Sequence, residues 1–353
     1  MACTHPLKAW KIGLTPNGKA DLKITDYSVD HLEKLPRQQF HFARTPIVDY
    51  PGSKVYREFV QIPCNQCTAC RIEYSRQWAN RCMLELEYHD SAYFVTLTYN
   101  EGRVPVSYYS DENGEAFSSL TLCKRDLQLF MKRLRKAFPD DKIRFFAAGE
   151  YGTTTFRPHY HLIIFGLHLD DLVPYKQVRG YMYYNSKSLQ DCWSINIGSN
   201  RVPLYDPIGF VVLAPVTWET CAYTARYVMK KLKGPSAQFY SDFSLEPPFT
   251  LMSRDPGIAA QWYMDHPDFS GYDFIHVSTA TGGRKFVPPK YLFYKLSLDD
   301  SDKYDKIKEQ RRQMAERAQQ LKLSKTDLPF LEYLKVEEHN LEDRVKKLIR
   351  SDF

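Results

Sequence analysis

The strongest constraint on the fold is a short apolar segment that begins with two histidines. Residues 159–165 read HYHLIIF, and this β-branched and aromatic composition predicts a buried strand. Because alternate side chains of a strand point to one face, we expect His159 and His161 side by side, with Tyr160 and Leu162 on the opposite face. Two buried imidazoles without partners would cost several kcal/mol. The pair therefore predicts a common partner.

A carboxylate follows the strand that comes just before this segment. Residues 143–148 read IRFFAA, and the chain continues through Gly149 to Glu150. If the two strands pair as an antiparallel hairpin, Glu150 falls near His159 and His161. Two imidazoles and one carboxylate suit Mg²⁺ or Mn²⁺, and the imidazoles favour Mn²⁺. The alternatives are histidines that belong to the core and a loop carboxylate in water.

Two tyrosines four residues apart lie on a helix predicted at 217–232. Tyr223 and Tyr227 are expected on one helical face, and Lys230 and Lys231 follow one turn further along. A phenol is a weak nucleophile at its ordinary pKa of about 10. A metal that polarises a phosphate and a nearby ammonium group would make it usable. Two aromatic residues at this spacing are also typical of a helix that faces the core.

The cysteines cluster near residue 65. Cys64, Cys67 and Cys70 provide three thiols within seven residues, with Cys3 as the best fourth and His5 as a substitute. A closed Cys₄ or Cys₃His set predicts a structural zinc site. The alternatives are three free thiols in a turn or an iron–sulfur cluster with the same ligands.

Composition limits the class of protein. Apolar residues make up 43% of the 353 residues, and 48 basic against 42 acidic residues give a net charge of +6. This excludes a disordered polyion. Mild basicity with 14% aromatic residues favours a protein that handles nucleic acid. No apolar run approaches the roughly 20 residues of a membrane span, and the N-terminus has no secretory signal. We expect a soluble intracellular protein.

The pattern of elements predicts an α+β fold. A central antiparallel sheet of about five strands should carry flanking helices on the face opposite the candidate site. We expect one main domain at 1–297, which includes a cysteine-rich element at 3–70, and a helical C-terminal extension at 298–353. Further strands are predicted at 93–99 and 209–213, and further helices at 75–89, 124–138, 301–325 and 331–350. Loops are predicted at 100–119, through most of 167–215, and at 236–297, whereas 1–62 shows no strong periodicity.

Together these motifs resemble the HUH endonuclease superfamily of rolling-circle replication initiators. The HYH strand, the later YxxxYxxK helix and the earlier FVTLTY strand carry the general likeness. The match is closer to the replication initiator of gokushovirus-type microviruses, which are small single-stranded DNA phages. It runs from residue 3 to about 290, and residues beyond 297 carry no recognised motif. The closer motifs are CNQCTACR (64–71), SRQWA (75–79), GEYG (149–152), RPHYH (157–161) and SRDPG (253–257).

The resemblance implies a reaction and a role for each matching residue. Such initiators cut an origin strand by transesterification, remain joined to its 5′ phosphate, and leave a 3′-OH for the host polymerase. Two tyrosines act alternately, and ligation needs no nucleotide cofactor. The implied metal ligands are His159, His161 and Glu150; the implied nucleophiles are Tyr223 and Tyr227, with Lys230 or Lys231 as the assisting cation.

The same resemblance implies partners and leaves rivals. The expected partners are a single-stranded DNA origin and the host replication helicase and polymerase, in the host cytoplasm. DNA contacts are expected from Arg157, Arg226 and Lys233, whereas the basic helix at 124–138 is expected to be a solvated outer face. One rival is a plasmid relaxase or transposase of the same superfamily. Another is a zinc-stapled single-stranded nucleic-acid-binding protein without catalysis.

Overall fold

The computed structural model describes residues 3–35, 40–43, 52–178, 180–199, 202–226, 231–232, 234–279 and 282–349. The strands in chain order are β1 Leu7–Leu14, β2 Ala20–Asp26, β3 His31–Lys34, β4 Phe40–Ala43, β5 Lys54–Tyr56, β6 Val60–Ile62, β7 Ala92–Leu97, β8 Val106–Ser110, β9 Ala116–Leu120, β10 Arg144–Tyr151, β11 Pro158–Phe165, β12 Leu172–Val178, β13 Tyr181–Ser186, β14 Ser194–Asn196, β15 Tyr205–Pro207, β16 Val211–Pro215, β17 Phe249–Met252, β18 Ile275–Thr279 and β19 Gly282–Phe286. The α-helices are α1 Thr68–Leu86, α2 Lys124–Ala137, α3 Lys187–Cys192, α4 Trp218–Arg226, α5 Gln238–Asp242, α6 Ala260–Asp265, α7 Lys290–Asp299, α8 Ser301–Leu323 and α9 Phe330–Ile349.

The chain divides into two compact units. The terminal unit combines Met1–Glu73 with Arg317–Asp352, and the sheet unit comprises Tyr74–Glu316. The terminal unit contains two antiparallel three-stranded sheets, with strand orders β2-β1-β6 and β4-β3-β5. Trp10, Val29 and Leu32 form its small core. These short strands lie where the sequence showed no strong periodicity. The predicted domain boundary at 297 stays a prediction.

The sheet unit is built on one antiparallel sheet of seven strands, in the order β12-β13-β16-β7-β11-β10-β17. The mixed α+β class is as predicted, but the sheet is wider than the expected five strands. The β12–β13 hairpin lies in a segment predicted to be irregular, because its Tyr- and Asn-rich strands lack an apolar alternation. At the other edge, β17 pairs with β10 inside a region predicted as loops.

Strand β11 separates two apolar layers. Tyr160, Leu162 and Ile164 pack in the layer that contains the apolar stripe of α2. Ile163 and Phe165 pack in the opposite layer, with residues of α1, α4, α6 and α7. Helices therefore cover both faces of the sheet, which corrects the expectation that they lie only opposite the candidate site. The two core clusters explain this, because both faces of the central strands are apolar.

Several helix ends differ from the sequence predictions. Helix α1 begins at Thr68 rather than residue 75, so that Cys70 lies in its first turn. Helix α4 is described for Trp218–Arg226; residues 227–230 lie outside the described residues, and Lys231 is not helical. The predicted helices α2, α8 and α9 are confirmed, each within two residues at either end. The predicted loop at 100–119 contains the β8–β9 hairpin. Across the described ranges, no helix is long and apolar enough to cross a membrane.

Candidate active site

The register of two hairpin strands assembles the candidate metal ligands. In the antiparallel pair β10–β11, Glu150 lies opposite His159, and Ala148 lies opposite His161. Directly opposed residues share a face, so Glu150 and both imidazoles project from one side of the sheet. The connecting turn is closed by a hydrogen bond of 2.9 Å from the Gly152 amide to the Arg157 carbonyl oxygen. The pairing is the one expected from the sequence.

The three side chains converge on a small volume. One ligand atom from each of Glu150, His159 and His161 lies within 4.8 Å of the others. The Glu150 Oε1 atom is 2.8 Å from His159 Nε2 and 3.4 Å from His161 Nε2. These separations bracket the spacing of about 3.0 Å between adjacent ligands of an octahedral ion with bonds of about 2.1 Å. The donor set of two imidazole nitrogens and one carboxylate oxygen therefore fits a divalent cation.

Each imidazole is oriented through its other ring nitrogen. His161 Nδ1 lies 3.1 Å from Thr96 Oγ1, and the two residues are directly opposed across β11 and β7. His159 Nδ1 lies 3.1 Å from the main-chain oxygen of Arg157. Both Nε2 atoms are thereby turned towards Glu150. Such outer contacts fix the tautomer and the ring orientation of metal-binding histidines.

The carboxylate is held in its charged form. Glu150 is buried, with 1% exposure. Burial alone would raise the pKa of Glu150, but hydrogen bonds with His159 and His161 lower it to about 2. The side chain is thus an anion at neutral pH. A buried anion between two imidazoles has the charge that a cation site needs.

Tyr223 lies beside this cluster. Its ring centroid is 5.1 Å from that of His161 and 6.0 Å from that of Phe94, in edge-to-face contacts. Phe94 also stacks on His161 at 5.5 Å with an interplanar angle of 11°. The Tyr223 side chain is half-buried, and the Arg226 guanidinium carbon is 5.7 Å from its ring centroid. One phenol and one cation therefore lie next to the candidate metal ligands.

The other predicted catalytic and DNA-contacting residues are placed only in part. Tyr227, Lys230 and Lys233 lie outside the described residues. Lys231 is described and half-buried, beyond the described end of α4. Arg157 forms an ion pair with Glu101 and donates a hydrogen bond of 2.9 Å to the carbonyl oxygen of Tyr99.

Two contributors to the site were missed by the sequence reasoning. Thr96 and the carbonyl group of Arg157 orient the imidazoles, and neither belongs to a recognised catalytic motif. Thr96 stands two residues after Phe94 in the FVTLTY strand, so its face follows from the strand alternation. Its position opposite His161 requires the strand order and register.

The four predicted cysteines also converge, within the terminal unit. One sulfur atom from each of Cys3, Cys64, Cys67 and Cys70 lies within 4.8 Å of the others. The Cys3 sulfur is 3.6 Å from that of Cys64 and 3.8 Å from that of Cys67. A tetrahedral zinc ion with Zn–S bonds of about 2.3 Å requires sulfur atoms about 3.8 Å apart. The four thiols therefore fit a structural zinc ion.

The local backbone prepares these sulfurs to carry negative charge. Asn65 has a positive φ of 58°, and the turn directs the amides of Gln66 and Cys67 to Cys64 Sγ, at 3.4 and 3.2 Å. The hydrogen bond with Cys3 lowers the pKa of Cys67. Amide donors and a stabilised thiolate are features of metal-binding cysteines.

Comparison with known proteins assigns the sheet unit to a family. Residues 92–232 match the model of the family described as replication-associated protein ORF2. That segment contains Glu150, His159, His161 and Tyr223. The chain belongs to this family of replication-associated proteins. The resemblance drawn from the sequence motifs is thereby confirmed.

Individual relatives extend the similarity over most of the chain. Replication-associated protein ORF2 of Spiroplasma virus 4 is 29% identical over 331 residues, which cover 91% of this chain and 95% of that protein. Replication-associated protein VP4 of Bdellovibrio phage phiMH2K is 27% identical over 291 residues, covering 78% and 82%. Replication-associated protein ORF4 of Chlamydia phage 1 is 26% identical over 213 residues, covering 58% and 47%. No solved structure matches the chain.

Proposed function

We propose that this protein is a phage replication initiator that nicks and rejoins single-stranded origin DNA by metal-dependent tyrosine transesterification. The observation that carries the proposal is the contact between the Tyr223 ring and His161, 5.1 Å between centroids, beside the cluster of Glu150 and His159. A nucleophile adjacent to a cation site is the arrangement that phosphodiester cleavage requires. The replication-associated names of the relatives support the biological context.

The proposed cation is Mg²⁺ or Mn²⁺, held by Glu150, His159 and His161. When bound, it would supply positive charge to a phosphate oxygen and so favour attack at phosphorus. Thr96 and the Arg157 carbonyl group would keep the two imidazoles aimed at the ion. The anionic Glu150 would supply the compensating charge.

The proposed chemistry exchanges one phosphoester bond for another. The phenolic oxygen of Tyr223 attacks the phosphorus atom and forms a P–O bond, while the bond to the DNA 3′ oxygen breaks. The phenolic proton ends on that 3′ oxygen, which leaves as a free hydroxyl group. The DNA 5′ end remains as a phosphotyrosine, and reversal of the step rejoins the strand without a nucleotide cofactor.

A second tyrosine and several cations complete the proposal. Tyr227 would cut the regenerated origin after one round of rolling-circle replication, with Lys230 or Lys231 as the assisting cation. Arg226, exposed beside Tyr223, would contact the DNA backbone, and the same role is proposed for Arg157 and Lys233. The free 3′ end would serve the host polymerase, with a host helicase, in the host cytoplasm.

The four-cysteine cluster is proposed to bind a structural zinc ion. Its sulfur separations fit tetrahedral coordination. The cluster lies in the terminal unit, and the proposed nucleophile lies in the sheet unit. Zinc would therefore support folding rather than take part in strand cleavage.

A covalent-adduct assay tests the proposed reaction. The full-length protein is incubated with Mn²⁺ and overlapping single-stranded oligonucleotides that cover the phage origin region, and the products are separated on a denaturing gel. We expect a protein–DNA adduct that His161→Ala abolishes. Because Tyr227 can act in place of Tyr223, the double variant Tyr223→Phe/Tyr227→Phe should also lose it. Tyr205→Phe, a change at an exposed tyrosine of β15, is the matched control and should keep the adduct.

The same assay decides against the rival functions. Tight binding of the oligonucleotides with no adduct on any of them would support a non-catalytic nucleic-acid-binding protein. An adduct that forms on a plasmid or transposon origin and not on the phage sequence would support a relaxase or transposase. Either result would contradict the proposal.

A further inference from the structure

The cysteine cluster is covered by the C-terminal helix. Within the terminal unit, Leu341 of α9 is buried in the same apolar cluster as Cys67 and Ala69, and Val345 packs against it. Leu341 and Val345 are four residues apart and share one helical face. The helix predicted to be an extension thus closes over the sulfur atoms.

A second contact joins α9 to the residues that follow Cys3. The Thr4 hydroxyl donates a hydrogen bond of 3.0 Å to Glu338 Oε1. His5 Nε2 lies 2.8 Å from Glu338 Oε2. One carboxylate of α9 therefore binds both residues next to the candidate ligand Cys3. Such bonds to a charged acceptor are stronger than those between neutral groups.

We infer that the metal at the four-cysteine site fastens the Glu338–Val345 half of α9 to the N-terminal segment. This inference rests on the proposed zinc site. Cys3 is the only member of the cluster that comes from the N-terminal segment, because the other three lie at 64–70. A bond from the ion to Cys3 holds Thr4 and His5 where Glu338 accepts their hydrogen bonds. The ion thereby links both ends of the chain.

The other half of α9 has an independent attachment. The ring of Phe330, at the first residue of the helix, lies 5.2 Å from that of Tyr27, and Leu334 is buried. Loss of the ion should therefore loosen the helix mainly from Glu338 onwards. The first turn of α9 serves as an internal reference.

Hydrogen–deuterium exchange on the full-length protein tests the inference. The zinc-loaded protein is compared with protein stripped by a thiol-tolerant chelator and with stripped protein reloaded with Zn²⁺. We expect amide exchange at 338–345 to be at least about tenfold faster without metal, to recover on reloading, and to change little at 330–334. Co²⁺ loading gives a separate optical signature of thiolate ligation.

Variants separate the metal from the helix contact. Cys3→Ser should weaken metal binding and speed exchange at 338–345. Cys123→Ser, at a half-buried cysteine outside the cluster, is the matched control and should change neither. Glu338→Ala should keep the Co²⁺ spectrum but lower metal affinity about tenfold, because coupling between two sites is reciprocal.

Two failures are distinguishable. If the protein binds one metal ion with a thiolate spectrum and exchange at 338–345 is the same with and without it, the fastening role is wrong and the zinc site stands. If no metal binds to the four cysteines, the zinc proposal is wrong and the fastening role falls with it. Neither result bears on strand cleavage, which uses residues of the sheet unit.

Discussion

Thr96 gives a sharp test of how the candidate metal centre is organised. Binding of a cation at His161 Nε2 requires the imidazole proton on Nδ1, where Thr96 Oγ1 is in place to accept it at 3.1 Å. Thr96→Val keeps the shape of the side chain and removes this acceptor. We expect the imidazole to lose its preferred tautomer and orientation, and the affinity for Mn²⁺ to fall.

The magnitude follows from the single contact that is lost. A partly buried hydrogen bond contributes about 1 kcal/mol net, and somewhat more when it orients a ligand. Changes to such outer partners lower metal affinity or activity roughly 10- to 100-fold. We therefore expect the Mn²⁺ concentration that gives half-maximal adduct formation to rise about tenfold, with the rate at saturating Mn²⁺ largely restored. Mn²⁺ binding is measured separately by loss of the free-ion electron paramagnetic resonance signal.

Two control variants isolate the effect. Thr96→Ser retains the hydroxyl and should retain Mn²⁺ affinity. Thr98→Val removes a hydroxyl two residues further along, which contacts the main chain of Phe210 and not an imidazole. It should leave the Mn²⁺ dependence unchanged. A Thr96→Val protein with native Mn²⁺ affinity, or one with a lower maximal rate and an unchanged Mn²⁺ dependence, would refute this reasoning.

Two further predictions concern stability. Burial alone would raise the pKa of Glu85, but hydrogen bonds with His89 and Arg144 lower it, so its stabilising effect is complete above the unfolded pKa of about 4.3 and disappears as pH falls through the folded value. Glu85→Gln should lower the melting temperature at neutral pH and reduce its fall towards acid pH; a parallel acid limb would contradict this. Gly209→Ala would drive its Cβ into the main-chain carbonyl group of Thr98 and should destabilise by about 3 kcal/mol or more in urea denaturation. Gly102→Ala, with nothing within 4 Å of the new Cβ, should be nearly neutral, and similar losses in both would be inconsistent with the clash.

Sequence reasoning was most successful where local periodicity determines geometry. The strand carrying His159 and His161 alternates strictly, and its partner ends near the start of that strand. These facts place the three candidate ligands on one face without tertiary information. The apolar stripe of α2 was likewise readable, because Leu127, Phe130 and Leu134 follow the helical period and are all buried.

Features that depend on long-range pairing could not be read in this way. The two edge additions to the sheet, the β12–β13 hairpin and β17, have no apolar alternation that marks them as strands. The role of Thr96 depends on β7 lying next to β11. The cover of α9 over the cysteines joins residues more than 300 positions apart, as between Thr4 and Glu338. No local pattern in the sequence encodes such a contact.

Peptide mapping of the covalent adduct tests the central claim most directly. Residues 202–226 contain no basic residue before Arg226, so trypsin places Tyr223 and Tyr227 in different peptides. After nuclease digestion, mass spectrometry locates the nucleotide remnant that stays on the protein. We predict a phosphotyrosine linkage at Tyr223, with a second population at Tyr227. A remnant on Tyr205 or on another residue, or no covalent remnant in the presence of Mn²⁺ and a bound origin strand, would contradict tyrosine transesterification at this site.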